Sequence, residues 1–115
     1  MPAAHELTHP EAGDIDLVGV LAALGHPVRL DIVRKLASLA DGEEAFCGEV
    51  VPDLPRSTVT HHLRTLRESG LLCQRPDGRK LSLALRRDDL EARFPGLLGL
   101  VLDFSGPEPA VGPEP

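Results

Sequence analysis

Between Pro55 and Gly70 the apolar residues Val59, Leu63 and Leu66 fall at i, i+4 and i+7, while Arg56, Ser57, Thr60, His61, Arg64 and Arg67 occupy the opposite face. That spacing predicts an amphipathic helix with one face committed to a core and the other entirely polar. After Gly70 the period changes to two, over Leu71 to Arg75 and Leu81 to Leu85 around a Pro76-Asp77-Gly78 turn, which predicts a β-hairpin with Arg79 and Lys80 at its tip. A helix leading directly into a hairpin must share a core with it, and the rest of the chain has to supply that core.

The supply is aliphatic. Hydrophobic residues make up 42% of the 115 residues and aromatics only 3%. This composition favours packed helices over a sandwich or barrel, in which aromatic and β-branched residues are abundant. The length suits one domain able to fold without a disulfide or structural metal. Cys47 and Cys73 have neither CxxC spacing nor a secretory signal ahead of them, so a reduced, cytoplasmic protein is expected. Pro95, Gly96 and Gly99 interrupt the richest apolar stretch, well short of the roughly 20 residues of a membrane span, so no membrane partner is expected.

The other elements are read from their punctuation. Asp14 as a cap and Gly25 as a stop bound a first helix containing Ile15, Leu17, Val18, Val20, Leu21 and Leu24. His26 caps a second helix with Pro27 at its first position and Leu30, Ile32, Val33 and Leu36 facing inward, ending near Leu39. The acidic loop Asp41 to Ala45 leads to a brief strand at Phe46. Cys47 to Val51 then forms the first helix of a helix-turn-helix whose turn is Pro52-Asp53-Leu54. Asp88 or Asp89 caps a last helix that runs through Leu90, Phe94, Leu97, Leu98, Val101 and Leu102, with Pro95 and Gly96 weakening its middle. The fold class expected is therefore mainly α with a small β-hairpin, a winged helix-turn-helix. Residues 1–13 form a flexible acidic arm, 14–104 the folded domain, and 105–115, with GPEP occurring twice, a disordered tail.

The formal net charge of −6 argues against a nucleic-acid partner until its layout is considered. Residues 1–16 hold four acids and residues 103–115 three, with no Lys or Arg in either segment. Leu54 to Lys80 holds six bases (Arg56, Arg64, Arg67, Arg75, Arg79, Lys80) against two acids (Glu68, Asp77), a local charge of +4. A helix about 10 Å across fits the major groove and its exposed N-terminal half reaches the base edges. On the Pro55–Ser69 helix this makes Arg56 a bidentate reader of guanine and Ser57, Thr58 and Thr60 short-range hydrogen-bonding groups, with His61 and Arg64 on bases or phosphates. Arg67 lies deeper. Arg79 and Lys80 would grip a neighbouring phosphate run or the minor groove. His62 falls on the inner side beside Leu63 and Leu66, the place of a hydrogen-bonded core or interface histidine rather than a DNA contact.

The stretches LGHPVRLDIVRKLA, STVTHHLRTLRESGLL and RPDGRKLSLAL closely resemble the ArsR/SmtB family of bacterial regulators, over roughly residues 17–102. The resemblance implies a homodimer built by the first and last helices. It also implies an imperfect palindrome in promoter DNA as the double-stranded target, and modulation by metal ions or other signals. Matching positions to the family's recognition helix supports Arg56, Ser57, Thr60, His61 and Arg64.

The family's metal sites are where the sequence departs. One family site uses two cysteines flanking a single residue; Phe46 and Gly48 stand at those positions, with Cys47 between them. A second uses carboxylates and histidines on the last helix, which here offers Asp88, Asp89 and Glu91 but no histidine. What remains is His5 and His9, four residues apart with Glu6 and Glu11 nearby, a donor set suited to nickel or zinc. Without such a site, the signal would arrive through an effector-sensing partner protein or through ligands completed across the dimer. An enzyme is not expected, for there is no Gly-rich phosphate loop, nucleophile elbow or HExxH. The competing reading is a winged-helix interaction module that does not bind DNA, with the acidic overall charge in its favour.

Overall fold

In the computed structural model, which describes residues 7–39, 44–51 and 53–103, the expected helices and hairpin form, except that the last helix is divided in two, and several boundaries move. The helices are α1 (Leu17–Leu24), α2 (Pro27–Ala37), α3 (Cys47–Val50), α4 (Arg56–Glu68), α5 (Arg87–Arg93) and α6 (Leu97–Asp103). The strands are β1 (Ala45–Phe46), β2 (Leu72–Asp77) and β3 (Lys80–Leu85), in one antiparallel sheet of order β1-β3-β2. Asp41, Pro52, His5 and the tail from residue 105 lie outside the described residues.

His26 caps α2 as its sequence predicts: Nδ1 accepts from the Val28 N–H at 3.1 Å, and Pro27 holds the first helical position. Helix α1 begins later than expected. Its cap is Asp16, whose carboxylate accepts from the Gly19 N–H, and Asp14 instead ends a short 3-10 turn, Ala12–Asp14. Ile15 is therefore outside the helix and fully buried against the end of α4.

That end is set by Gly70, with φ +90°. The Gly70 N–H donates to Arg67 O and the Leu71 N–H to Leu66 O, the paired bonds of a Schellman stop, and the buried Leu66 and Leu71 supply its apolar contact. Chain reversal at Gly70 sends β2 back along the core.

The hairpin turns later than its Pro76-Asp77-Gly78 signal suggests. Asp77 pairs with Lys80 across a two-residue Gly78-Arg79 loop, with Gly78 at φ +67° and Arg79 at negative φ, the pattern of a type II′ turn. Pro76 stays in the ladder opposite Leu81 because β2 is an edge strand, where a missing N–H leaves no inter-strand bond unmade.

The expected last helix is two. Phe94–Gly96 separates α5 from α6, Gly96 has φ +88°, and its N–H is taken by the Glu91 carboxylate at 3.1 Å. Asp88 and Asp89 sit in the first turn of α5 rather than at its cap, which is Arg86; Asp89 pairs with that arginine at 2.9 Å.

The core joins Val20, Ile32, Val33 and Leu36 of the first two helices to Leu63 and Leu66 of α4 and Leu83 of β3, all essentially buried. Each such side chain contributes roughly 1.5–3 kcal/mol relative to exposure. Arginines close the remaining backbone ends: Arg87 donates to the carbonyls of Ala37 (2.6 Å) and Leu39 (2.8 Å) at the C-terminus of α2, and Arg93 to Ile15 O (2.6 Å).

Candidate nucleic-acid interface

Helix α4 starts at Arg56 with Pro55 as its cap, and among the described residues no side chain caps it. Its positive end is thus open, a place where backbone donors and the helix dipole favour an anion. Arg56, Ser57, Thr60, His61 and Arg64 are all exposed around it. Thr58 is half-buried, one turn before the buried His62 on the same flank. Arg64 pairs with Glu68 at 3.4 Å, but both side chains are about 60% exposed or more, so the pair is weak and the guanidinium is available.

Across from α4 stands the hairpin. Arg79 and Lys80 are exposed at its tip, and Lys80 Nζ lies 4.8 Å from the centre of the Phe46 ring, which steadies the ammonium over the groove. Arg56, Thr60 and Arg64 on one side and Arg79 and Lys80 on the other line a single groove of about 1070 Å³ whose floor includes Phe46, Val59 and Leu81. Of the seven exposed residues of the sequence reading, Arg56, Thr60, Arg64, Arg79 and Lys80 line this groove, whereas Ser57 and His61 are exposed on α4 outside its lining.

Two other bases of the stretch are occupied. Arg67 is half-buried, with Nε donating to Thr8 O (3.1 Å) and Nη1 to Gln74 Oε1 (2.9 Å). Arg75 is bonded to the Glu44 carboxylate, which also accepts from Ser82. These are internal ties that charge counting along the sequence does not distinguish from free cations.

The segment ahead of α1, read from sequence as part of an arm, lies along the base of the wing from residue 7 onward. His9 Nε2 accepts from the Gln74 N–H at 3.0 Å, and Pro10 O accepts from Arg86 at 2.7 Å. Burial lowers the His9 pKa below the usual histidine value, with Arg67 and Arg86 adding to the effect. A metal ligated through Nε2 would have to displace Gln74, and His5 lies outside the described residues. Among the described residues no group of three or more His, Cys, Asp or Glu could hold a metal ion. Cys47 is half-buried at the start of α3, and burial raises its thiol pKa. No short motif announced the contacts of Thr8, His9 and Pro10, because their partners lie 59 to 76 residues away in sequence.

Comparison with known proteins agrees with this architecture. The helix-turn-helix domain family matches residues 24–75. The Bacillus subtilis protein named "Uncharacterized HTH-type transcriptional regulator YceK" is 34% identical over 94 residues, 80% of this chain and 92% of its own. A Halobacterium salinarum protein named "Putative arsenical resistance operon repressor ArsR" is 40% identical over 77 residues, 64% of this chain and 58% of its own.

The chain belongs to the ArsR/SmtB family.

Among solved structures, that of the repressor BigR from Xylella fastidiosa is similar at TM-score 0.52 and 27% identity, covering 67% of this chain and 84% of that one. The ArsR family regulator RHA00566 shares the fold at TM-score 0.58 and 21% identity, over 72% of this chain and 84% of that one. The winged helix-turn-helix expectation is thus met: the chain is a transcriptional regulator of this family with a helix-turn-helix DNA-binding domain. Among the described residues, no helix is long and apolar enough to cross a membrane.

Proposed function

We infer that this protein binds a palindromic promoter site as a homodimer, with α4 of each subunit in the major groove and the β2-β3 wing on flanking backbone. The observation that carries the reading is the shared groove. Arg56, Thr60 and Arg64 of α4 face Arg79 and Lys80 across it, at a helix start with no side-chain cap among the described residues, and Ser57 and His61 are exposed on the same helix. In this reading Arg56 reads guanine, Ser57 and Thr60 bond to base edges or phosphates, Thr58 lends a hydroxyl at the edge of the contact, and Arg79 and Lys80 grip backbone.

Dimerisation through α1 and the last helices is supported by apolar surface that the single chain leaves uncovered. Leu17, Val18 and Leu21 on α1 are 45%, 74% and 50% exposed, and Leu100 on α6 is 69% exposed. A twofold axis there sets the two α4 helices on half-sites about one helical turn apart, near 10 base pairs or a multiple. Selection from a random duplex pool tests this: inverted repeats at such a spacing, rich in guanine at the α4 contacts, are expected. A pool that yields no enriched sequence would favour the interaction module.

A further inference from the structure

Arg29 of α2 joins three elements. Its Nε donates to Ala23 O at 2.7 Å and Nη2 to Ala22 O at 3.4 Å, both in the last turn of α1, and Nη1 lies 3.1 Å from Nδ1 of His62 on α4. A guanidinium can only donate, so His62 Nδ1 must hold the lone pair, which makes His62 the neutral tautomer with its proton on Nε2. The His62 side chain is 5% exposed. Its ring packs 4.5 Å from that of His26, tilted by 53°, and 5.4 Å from that of His61. His26 is fixed in turn, because its Nδ1 caps α2.

A proton on His62 has no good place here. It would abolish the acceptor for Arg29 and set two cations 3.1 Å apart in a part-buried site. The charged and titratable groups facing His62 are Arg29 from α2, His26 at the α2 cap and His61 from α4, while α1 contributes only the carbonyls that hold Arg29. No acid is bonded to His26, Arg29 or His62 among the described residues. Burial, followed by His26, Arg29 and His61, pushes the His62 pKa below the usual histidine value. His62 also lies on the helix that carries the reading residues, beside His61 and two positions before Arg64.

We propose that His62 is a positioning residue for DNA reading: its contact with Arg29 fixes the orientation of α4 against α1, and a proton on His62 releases α4, so that mild acid weakens DNA binding. The proposal rests on the DNA-binding reading above and adds a proton as a signal to which the reading helix responds.

His61 stands on the exposed reading face, where a charged imidazole would attract phosphate and pull the other way. The informative quantity is therefore a ratio between two proteins that both keep His61. His62→Asn retains an acceptor, Oδ1, near the place of Nδ1 and cannot be protonated. The probe is a fluorescent duplex selected at about pH 8, and affinity is read by anisotropy at constant ionic strength. If the released state titrates at the usual value near 6.5, the loss at about pH 5.5 reaches at most about tenfold per half-site. Wild type is expected to lose about three- to tenfold relative to His62→Asn between those two pH values. A ratio of one overturns the proposal, as does loss of helical circular dichroism in wild type at about pH 5.5, which would mean unfolding rather than release. A second readout needs no DNA and no variant. In the NMR titration of the wild-type imidazoles, His62 is expected to have a midpoint below the usual histidine value. A midpoint at or above about 6.5 overturns the proposal even if no duplex is bound. Failure to bind DNA at either pH, with a depressed His62 midpoint, would sink the DNA reading and with it the positioning role.

Discussion

Replacing Gly70 by Ala separates two costs that a glycine can conceal. A Cβ at this position would lie 2.4 Å from Cγ1 and 2.6 Å from Cδ1 of Ile15, far inside the roughly 3.5–4.0 Å of normal carbon contact. Ile15 is 1% exposed and branched at Cβ, so it cannot swing aside. Placing an L-residue at φ +90° costs about 1–2 kcal/mol, and overpacking adds about 1–3, for a total of about 2–5 kcal/mol. Gly78 is the control. It too has positive φ, +67°, but a Cβ there meets nothing within 4 Å, so Gly78→Ala should cost only the backbone part, about 1–2 kcal/mol. Urea unfolding at fixed protein concentration measures both, the fixed concentration guarding against a coupled dimer equilibrium. Combining Gly70→Ala with Ile15→Ala removes the clashing atoms and should make the pair less than additive by about 1–3 kcal/mol. Equal costs at the two glycines, together with additivity of that pair, would refute the steric account of how Gly70 seats the wing against α4.

Other expectations concern the interface and the fold. Arg56→Ala should relax base preference at one position at a cost of about 1–3 kcal/mol, whereas Lys80→Ala should weaken all duplexes about equally; competition binding against point-substituted duplexes distinguishes them. Val18→Glu places a charge on the most exposed large apolar side chain of α1 and should shift sedimentation from dimer to monomer with helical content retained; a wild-type monomer at micromolar concentration would contradict the pairing. His9 is held neutral with a lowered pKa. The unfolded chain therefore takes up the proton first, and this part of the stability is present above about pH 6.5 and lost as pH falls below it. His9→Gln, which keeps an acceptor near Nε2, should flatten the fall in urea midpoint between about pH 7.5 and pH 5.5, and an unchanged slope would show that His9 is not its source.

What could be read from the sequence was whatever depends on near neighbours. His26-Pro27 marks a helix start and Gly70 a helix stop because capping and left-handed backbone are decided within a turn of the residue itself. The face bearing Arg56, Thr60 and Arg64 follows from helical spacing alone. Errors arose where a distant partner or a neighbouring strand decides. Pro76 was expected in the turn because proline, aspartate and glycine favour turns, yet an edge strand tolerates it and Gly78 alone satisfies the reversal. Ile15 looked helical by periodicity, but Asp16 is the better-placed cap and Ile15 is claimed by the space beneath Gly70. Pro95 and Gly96 by their residue types only weaken a helix; Gly96 at positive φ with its N–H drawn to Glu91 makes a full break. Arg67 and Arg75 carried the same charge in the count as Arg56, and only the folded chain shows that Gln74, Thr8 and Glu44 hold them.

The salt dependence of affinity for a selected duplex tests the central claim most directly. Arg64, Arg79 and Lys80 from each of two subunits give about six phosphate contacts, so log affinity should fall against log salt with a slope near −5. Between about 50 and 200 mM salt that is a loss of about 10³-fold, and Lys80→Ala should make the slope shallower by about two for a dimer. Affinity that is indifferent to salt, or a slope that Lys80→Ala leaves unchanged, would contradict the placement of α4 and the wing on DNA.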